Sequence, residues 1–410
     1  QYPEQLLYPE PTVPLAKLVR KPGVIASRAA GIKEAVSIPV IAVGSLGPEL
    51  GDWILRRGMA DAIAMGRRLM VDPELPRKLA EGRPEDIRPC MACLECRTPF
   101  QRYQPVSCRV NAALGKEREY EIKPAARKKR VVVVGGGPGG MEAARVAAAR
   151  GHEVVLYEKA PRLGGSLPLA ALIKGTEIED LPALVRYFET QLRKLGVRVE
   201  LRREFTPEMA HALKPEAVVV AIGGLPTTPT IPGIDRRNVL TGQALERKVK
   251  PYLRLLGPKL LGWVTRFWLP VGKRVVVIGG LLHGCQVAAF LVKRGRLVTI
   301  VEASDQPGEG ISVVMKPRLL DWLAEKGVVM LTGAECKEIT DEGIIVRTKE
   351  GTVKTIIADT VITALPPGPN PKLSKALEGM VPEVYPIGDC SESRLILQAI
   401  ADGSRVGHSI

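Results

Sequence analysis

Three cysteines stand within seven positions, Cys90-Met-Ala-Cys93-Leu-Glu-Cys96, and a fourth, Cys108, follows after eleven intervening residues. Thiolates ligate iron or zinc, and four of them close a tetrahedral or cuboidal site. Structural zinc is usually held by two separated cysteine pairs. Three close cysteines and a distant fourth on a loop favour a 4Fe–4S cluster held by Cys90, Cys93, Cys96 and Cys108. Zinc, or a set of thiols with no ligand, are the alternatives this spacing leaves open. Cys285, Cys336 and Cys390 are scattered. With no secretion signal in view, a disulfide framework is not expected and a reducing, cytoplasmic setting is.

Glycine-rich loops supply the second kind of chemistry. Arg130-Val-Val-Val-Val-Gly135-Gly-Gly137-Pro-Gly-Gly140 reads as a strand, a Gly-x-Gly-x-x-Gly turn and a helix over 141–150. The next strand, Val154-Val-Leu-Tyr-Glu158, closes on an acid. Such glycines allow a tight turn, close approach of a pyrophosphate and helix–sheet packing, and Glu158 can hold ribose hydroxyls. Gly164-Gly165 offers a second point of backbone approach. The pattern returns at Arg274-Val-Val-Val-Ile-Gly279-Gly280-Leu281-Leu-His-Gly284, with Glu302 closing the strand Leu297–Val301. Glu302 favours a free ribose 2′-hydroxyl, hence NADH over NADPH. Leu281 stands where the first loop has a third consecutive glycine, and a side chain there can obstruct a pyrophosphate. Near the end, Val384-Tyr-Pro-Ile-Gly388-Asp389 precedes a predicted helix over 394–401. A carboxylate beside a helix N-terminus suits the ribityl and phosphate groups of a flavin.

The elements that must position these residues are short βα units. A helix is predicted around 25–36, then a buried strand Ile38–Gly44, a helix over 48–57, a second strand Asp61–Gly66 followed by Arg67 and Arg68, and a helix over 72–81. Two such units with glycine at the strand ends fit the end of a parallel barrel, whose exposed backbone N–H groups bind phosphate. Two turns of an open sheet are the alternative. Residues 115–130 read as a charged tether. Ala217–Gly224 is a buried strand, and 328–364 holds short strands with a hairpin turn at Glu350-Gly351. The basic stretch 244–270 carries Trp263, Phe267 and Trp268. An interdomain helix that buries these aromatics is expected, with a membrane- or partner-docking segment as the alternative. His152 is expected at the surface.

A chain of 410 residues accommodates two or three domains. Its composition, 45% hydrophobic and 25% charged, is that of a soluble globular protein, and no apolar run is long enough to span a membrane. The net charge of +15 points to anionic partners such as phosphates, coenzyme A esters or acidic proteins. Nucleic acid is not expected, because aromatic residues make up only 4% and no recognition motif is present. The opening Gln1-Tyr-Pro-Glu has no initiator Met and reads as the middle of a protein.

Taken in order, these motifs resemble the NADH:flavin oxidoreductase family that includes 2,4-dienoyl-CoA reductase, enoate reductases and trimethylamine dehydrogenase. The resemblance implies an α/β fold: the C-terminal end of a (β/α)8 flavin barrel, a cluster-binding loop, then a module of two dinucleotide-binding domains for FAD and NAD(P). It divides the chain into barrel (1–86), cluster segment and linker (87–129), first part of the FAD domain (130–243), linker helix region and inserted NAD(H) domain (244–366), and second part of the FAD domain (367–410). It implies that Gly44, Ser45, Gly66 and Arg67 hold the FMN phosphate and that the four cysteines bind the cluster. It assigns Gly135, Gly137, Gly140, Glu158, Gly165, Gly388 and Asp389 to FAD, and Gly279, Gly280, Gly284 and Glu302 to NADH. In that family electrons pass from NAD(P)H to FAD, through the cluster to FMN, and then as hydride to an activated alkene. The implied partners are NAD(H) and an enoyl compound or acyl-CoA, and a homo-oligomer or a place in a complex is expected.

Three departures from the family pattern qualify the resemblance. Only the last two barrel strands are present, so the catalytic residues are not assignable and a preceding segment or a second chain is expected to complete the barrel. Leu281 weakens the NADH site. The Cys90-x-x-Cys93-x-x-Cys96 spacing is nearer to trimethylamine dehydrogenase than to dienoyl-CoA reductase. An amine dehydrogenase, or an electron-transfer subunit feeding a partner protein, are therefore the alternatives to an ene-reductase.

Overall fold

The structure is a computed structural model that describes residues 23–101, 103–174, 179–241, 244, 252, 256, 260–265, 267 and 269–410. It divides into two compact units, Gln1–Cys93 with Glu177–Asp180, and Leu94–Thr176 with Leu181–Ile410.

In the first unit the order is α1 (Gly23–Ala35), β1 (Ile41–Val43), α2 (Pro48–Arg56), β2 (Ala62–Ala64), α3 (Gly66–Val71) and α4 (Leu75–Ala80). Strands β1 and β2 pair in parallel, Ile41 opposite Ala62 and Val43 opposite Ala64. Pro48 begins α2 with a preset φ and no N–H to lose. The core is small: Ala26, Ala29, Ala42, Leu46, Ile54 and Ala60. Asp61 ties the layers together, accepting the Val40 N–H at 2.8 Å and the Lys33 ammonium at 2.5 Å. The sequence predicts a buried first strand, yet Ile41 and Val43 are 64% and 61% exposed. A parallel strand is buried only when layers cover both its faces. Among the described residues, β1 turns Ala42 alone into the core. The helix predicted over 72–81 is shorter because Asp72 is buried as an anchor, accepting the Glu74 and Arg88 N–H groups and the Lys78 ammonium.

The second unit opens with α5 (Arg97–Gln101) and continues through β3 (Arg130–Val134), α6 (Pro138–Ala149), β4 (Glu153–Glu158), α7 (Leu167–Lys174), α8 (Leu181–Lys194), β5 (Arg198–Leu201), α9 (Pro207–Leu213) and β6 (Ala217–Val220). Then come β7 (Val239–Leu240), β8 (Arg274–Ile278), α10 (Leu282–Val292), β9 (Leu297–Val301), α11 (Met315–Glu325), β10 (Val329–Leu331), β11 (Glu335–Thr340), β12 (Gly343–Arg347), β13 (Val353–Ile357), β14 (Thr360–Thr363), α12 (Lys372–Leu377), β15 (Glu383–Pro386) and α13 (Ile396–Ser409).

Two parallel five-stranded sheets organise this unit. The first has the order β15-β6-β3-β4-β5 and the second β10-β9-β8-β14-β7. Runs of β-branched residues suit strands covered on both faces. Val131 to Val134 and Val218 to Val220 are all buried, each by about 1.5–3 kcal/mol of apolar transfer. In each sheet the strand order reverses beside the strand that leads into the glycine loop, β3 or β8. The crevice at that switch, beyond the strand C-termini, is where nucleotides bind in open α/β sheets. The expected hairpin turn at 350–351 joins β12 and β13, with Gly351 at φ +82°. β7 pairs with β14 at the edge of the second sheet.

The C-terminal helix α13 is longer than the helix predicted over 394–401. It lies close against α6: a Cβ on Gly403 would sit 2.2 Å from the Gly139 carbonyl oxygen, and one on Gly407 2.7 Å from Val146 Cβ. Only glycines four residues apart on one helix face permit that approach.

The aromatic stretch differs from expectation. Trp263 and Phe267 are 55% and 76% exposed and meet edge to face with ring centroids 5.0 Å apart. Leu261 is the residue that turns inward, onto Leu172. Trp268 and most of 242–259 lie outside the described residues. His152, expected at the surface, is only 6% exposed, and its Nδ1 accepts the Lys129 N–H at 3.1 Å.

Candidate functional site

β3 delivers the chain into Gly135 at φ +107°, where a Cβ would lie 2.3 Å from the Ala221 carbonyl oxygen at the end of β6. No other residue fits that close approach. A Cβ on Gly140 would lie 2.0 Å from the Gly135 oxygen, so α6 packs directly on the loop. Gly137 is different. Its backbone is extended, φ −73° and ψ 176°, and a Cβ there would meet nothing within 4 Å. Protein packing does not require a glycine at 137. The open space in front of it, at the N-terminus of α6, lets a pyrophosphate approach the backbone N–H groups there.

Glu158 is buried at the end of β4 with both oxygens fixed. Oε2 accepts the Gly136 N–H at 2.7 Å and Oε1 accepts the Ala160 N–H at 2.7 Å. Each oxygen keeps a second lone pair for a ribose hydroxyl. The Gly164 N–H donates to the Gly136 oxygen at 2.8 Å, and Gly165, at φ +55°, sits with its Cβ position 3.0 Å from Gly137 Cα. Gly136 is the residue that motif reading passes over. A Cβ there would lie 2.4 Å from Leu163 Cδ2 and 3.1 Å from Glu158 Oε2. The third consecutive glycine is the signal for it.

The second module repeats this wiring. Gly279 is at φ +101°, and its Cβ position lies 3.0 Å from the Ala364 oxygen. A Cβ on Gly284 would lie 1.8 Å from the Gly279 oxygen. Glu302 accepts the Gly280 N–H at 2.5 Å and the Ser304 N–H at 2.8 Å. Cys285 lies beneath the loop, its thiol donating to the Gly280 oxygen at 3.2 Å, and burial pushes it up to about 11. Cys390 is also a buried packing residue, its thiol 3.0 Å from the Val220 oxygen.

Gly388, at φ +63°, turns β15 into a short 3-10 segment that carries Asp389. Asp389 Oδ1 accepts the Arg394 N–H at 3.1 Å. Burial raises its carboxyl above the ordinary range, opposed by that N–H bond and by the charges of His283 and Arg394. The Asp389 carbonyl oxygen lies 3.2 Å from the Cβ position of Gly224, just beyond the end of β6. The structure thus brings the Gly135–Gly140 loop, Glu158, Gly165 and the Gly388-Asp389 turn to the switch-point side of one sheet.

In the first unit, the parallel pairing of β1 and β2 brings Gly44 and Ser45 beside Gly66 and Arg67. Gly44 is at φ +136° and Ser45 at φ +55°, an uncommon conformation for a residue with a side chain. The Arg67 guanidinium donates to Ser45 Oγ, and Arg68 Nε donates to the Leu46 oxygen at 2.9 Å. Two arginines and a curled backbone make a cationic corner.

Cys90, Cys93, Cys96 and Cys108 are half-buried and lie on irregular backbone, as the loop expectation requires. Ala92 at φ +51° and Leu94 at φ +58° curl the chain between the first three thiols. Arg109, next to Cys108, is buried with its guanidinium 4.0 Å from Glu95 Oε2. Among the described residues, no three His, Cys, Asp or Glu side chains are drawn together into a metal-holding group.

Residues 129–403 match the pyridine nucleotide-disulphide oxidoreductase family, and residues 17–86 match the NADH:flavin oxidoreductase / NADH oxidase family. The chain belongs to the former, with part of the latter preceding it, and its cofactors are of the flavin and nicotinamide nucleotide class. It is 37% identical to the NADH oxidase of Thermoanaerobacter brockii over 92% of this chain and 56% of that protein. It is 33% identical to the cinnamate reductase of Clostridium sporogenes over 92% of this chain and 54% of that one. Among solved structures, a 2-naphthoyl-CoA reductase complexed with 2-naphthoyl-CoA aligns with TM-score 0.83 and 32% identity, covering 95% of this chain and 57% of that one. The fold is shared by histamine dehydrogenase from Rhizobium sp. 4-9, at TM-score 0.79 and 24% identity. The chain spans a little over half the length of the relatives it matches. No helix among the described residues is long and apolar enough to cross a membrane.

Proposed function

We propose that the chain carries the electron relay of an NADH-dependent flavin and iron–sulfur oxidoreductase that reduces the C=C bond of an α,β-unsaturated acid or its coenzyme A ester. The observation that carries this reading is the paired wiring of Glu158 to Gly136 and Glu302 to Gly280, which supports two dinucleotide sites in one chain. The relatives named as cinnamate reductase and 2-naphthoyl-CoA reductase support the substrate class. The net charge of +15 suits a polyphosphate-bearing ester.

Gly135, Gly137 and Gly140 cradle the FAD pyrophosphate while Glu158 holds its ribose. Gly165, Gly388 and Asp389 complete that site. Gly279, Gly280, Gly284 and Glu302 bind NADH. Gly44, Ser45, Gly66 and Arg67 hold the FMN phosphate, and Cys90, Cys93, Cys96 and Cys108 bind a 4Fe–4S cluster. FAD held at the first site would supply hydride acceptance from NADH, a cluster on the four cysteines would supply one-electron transfer, and FMN at the Gly44–Arg67 corner would supply the chemistry of alkene reduction. The chain's own residues bind and orient. Glu158 and Glu302 would fix the ribose ends, and the half-buried carboxyl of Asp389 would offer a hydrogen bond to the flavin.

The test is a count of acid-released FAD and FMN per chain, combined with anaerobic NADH oxidation in the presence of cinnamate-type acids and enoyl-CoA esters. FAD near one per chain with NADH-driven alkene reduction supports the reading. A flavin-loaded protein that reduces no member of a broad panel overturns it. Leu281 favours a second reading, an amine dehydrogenase in which electrons enter from the substrate. Bleaching of the flavin by an amine but not by NADH would select it.

A further inference from the structure

The two modules share the first, second and sixth residues of the loop, Gly135, Gly136 and Gly140 against Gly279, Gly280 and Gly284, and differ at the third, where a pyrophosphate would lie. In the first, Gly137 begins α6 with φ −73° and ψ 176°, and open space extends beyond its Cβ position. In the second, Leu281 begins α10 with φ −72° and ψ −168°. The backbones superpose in conformation, so the Leu281 side chain leaves the chain in the direction that Gly137 keeps empty. The rest of the loop matches closely. The Gly164 N–H donates to the Gly136 oxygen at 2.8 Å, and the Gly308 N–H donates to the Gly280 oxygen at 2.7 Å. The next residue differs again. Gly165 lies against Gly137 in the first module, whereas its counterpart in the second is Glu309. The Glu309 carbonyl accepts the Leu282 N–H at 2.8 Å, taking one of the amide donors at the start of α10. In the first module the corresponding residue is Pro138, which has no N–H to be taken.

We infer that Leu281 is an affinity-setting residue. Together with the Glu309 turn it weakens the hold of the second module on a dinucleotide pyrophosphate, so that NADH exchanges while the first module retains FAD. The physical basis is direct. Backbone N–H groups at a helix N-terminus bind a pyrophosphate only if it can approach them, and a γ-branched side chain at the second glycine of the loop holds it off. The inference rests on the NADH reading above and concerns how tightly, not whether, that coenzyme is held.

The test uses the flavin-loaded full chain, wild type beside Leu281→Gly and Leu281→Ala. NADH is titrated anaerobically while flavin bleaching is followed, and FAD content and melting temperature are measured on each protein. Expected is a tenfold or greater fall in the NADH concentration for half-maximal bleaching in Leu281→Gly, with a smaller fall in Leu281→Ala. The limiting bleaching rate and the FAD content stay unchanged. Wild-type bleaching with no tightening in either variant overturns the role of Leu281 and leaves the NADH reading standing. Bleaching only in the variants supports the inference and removes NADH as the wild-type donor. No bleaching by NADH in any of the three overturns both.

Discussion

Glu302 accepts the Gly280 N–H at 2.5 Å across 22 positions of chain, the same separation over which Glu158 holds Gly136 at 2.7 Å. Each carboxylate also accepts an N–H two residues beyond itself. The acid at the end of the second strand is therefore part of the loop architecture before it meets any ribose. Glu158→Ala leaves the Gly136 and Ala160 N–H groups without their partner in a buried setting, at a cost of roughly 2–4 kcal/mol. The expected outcome is a lower melting temperature and less than half the FAD per chain, read by flavin absorbance after desalting. Glu302→Ala is expected to keep its FAD and lose bleaching by NADH.

Glycines in the first loop separate into two kinds. Gly140→Ala places a methyl 2.0 Å from the Gly135 oxygen and is expected to destabilise the fold by several kcal/mol, beyond the usual cost of a point substitution. Gly137→Ala meets no protein atom within 4 Å, so its melting temperature is expected to stay near wild type in the absence of flavin. Its FAD content is expected to fall at least tenfold. Melting curves and flavin counts on the two variants separate packing from ligand contact.

The cysteines divide in the same way. Replacing Cys90, Cys93, Cys96 or Cys108 by Ala is expected to remove most iron and acid-labile sulfide while FAD stays bound. Cys285→Ala and Cys390→Ala, at thiols buried against carbonyl oxygens, are expected to leave the iron content unchanged. Iron, sulfide and FAD assays on anaerobically purified protein decide this. Loss of iron in the second group with retention in the first reverses the assignment.

His152 predicts a pH dependence. Its Nδ1 accepts the Lys129 N–H, and its Nε2 is buried with no hydrogen-bond partner among the described residues. Burial, together with the charges of Arg150 and Lys129, lowers its pKa below the ordinary imidazole value, with Glu216 and Glu383 opposing. The unfolded chain takes up the proton near pH ~6.5, the folded chain only at lower pH. Below about pH 6.5 the unfolded state binds more protons, so stability falls as pH drops toward the folded pKa, and above it this residue contributes no slope. His152→Gln keeps an acceptor for Lys129 and is expected to flatten the decline in melting temperature between about pH 7 and pH 5. An unchanged slope in the variant would place the acid sensitivity elsewhere.

The order of modules was legible in the sequence because its signals are local. A run of valines into Gly135, an acid closing the next strand at Glu158, the same pair at Gly279 and Glu302, and three cysteines in seven positions each declare themselves within a short window. The hairpin at Gly351 and the strand ending at Gly388 are legible for the same reason.

Only the tertiary structure decided what those residues touch. That Gly137 faces open space while Gly135 is pressed onto Ala221, and that Glu158 grips Gly136, are matters of non-local approach. Burial is likewise set by what a distant part of the chain lays over a residue. His152 is covered and Ile41 and Val43 are not, although hydrophobicity alone ranks them the other way. The close contact of Gly403 and Gly407 with α6 joins the C-terminal helix to the first loop across more than 250 residues of chain, a distance over which periodicity carries no information. Motif types and their order are properties of neighbouring residues. Contacts and exposure belong to the packed whole.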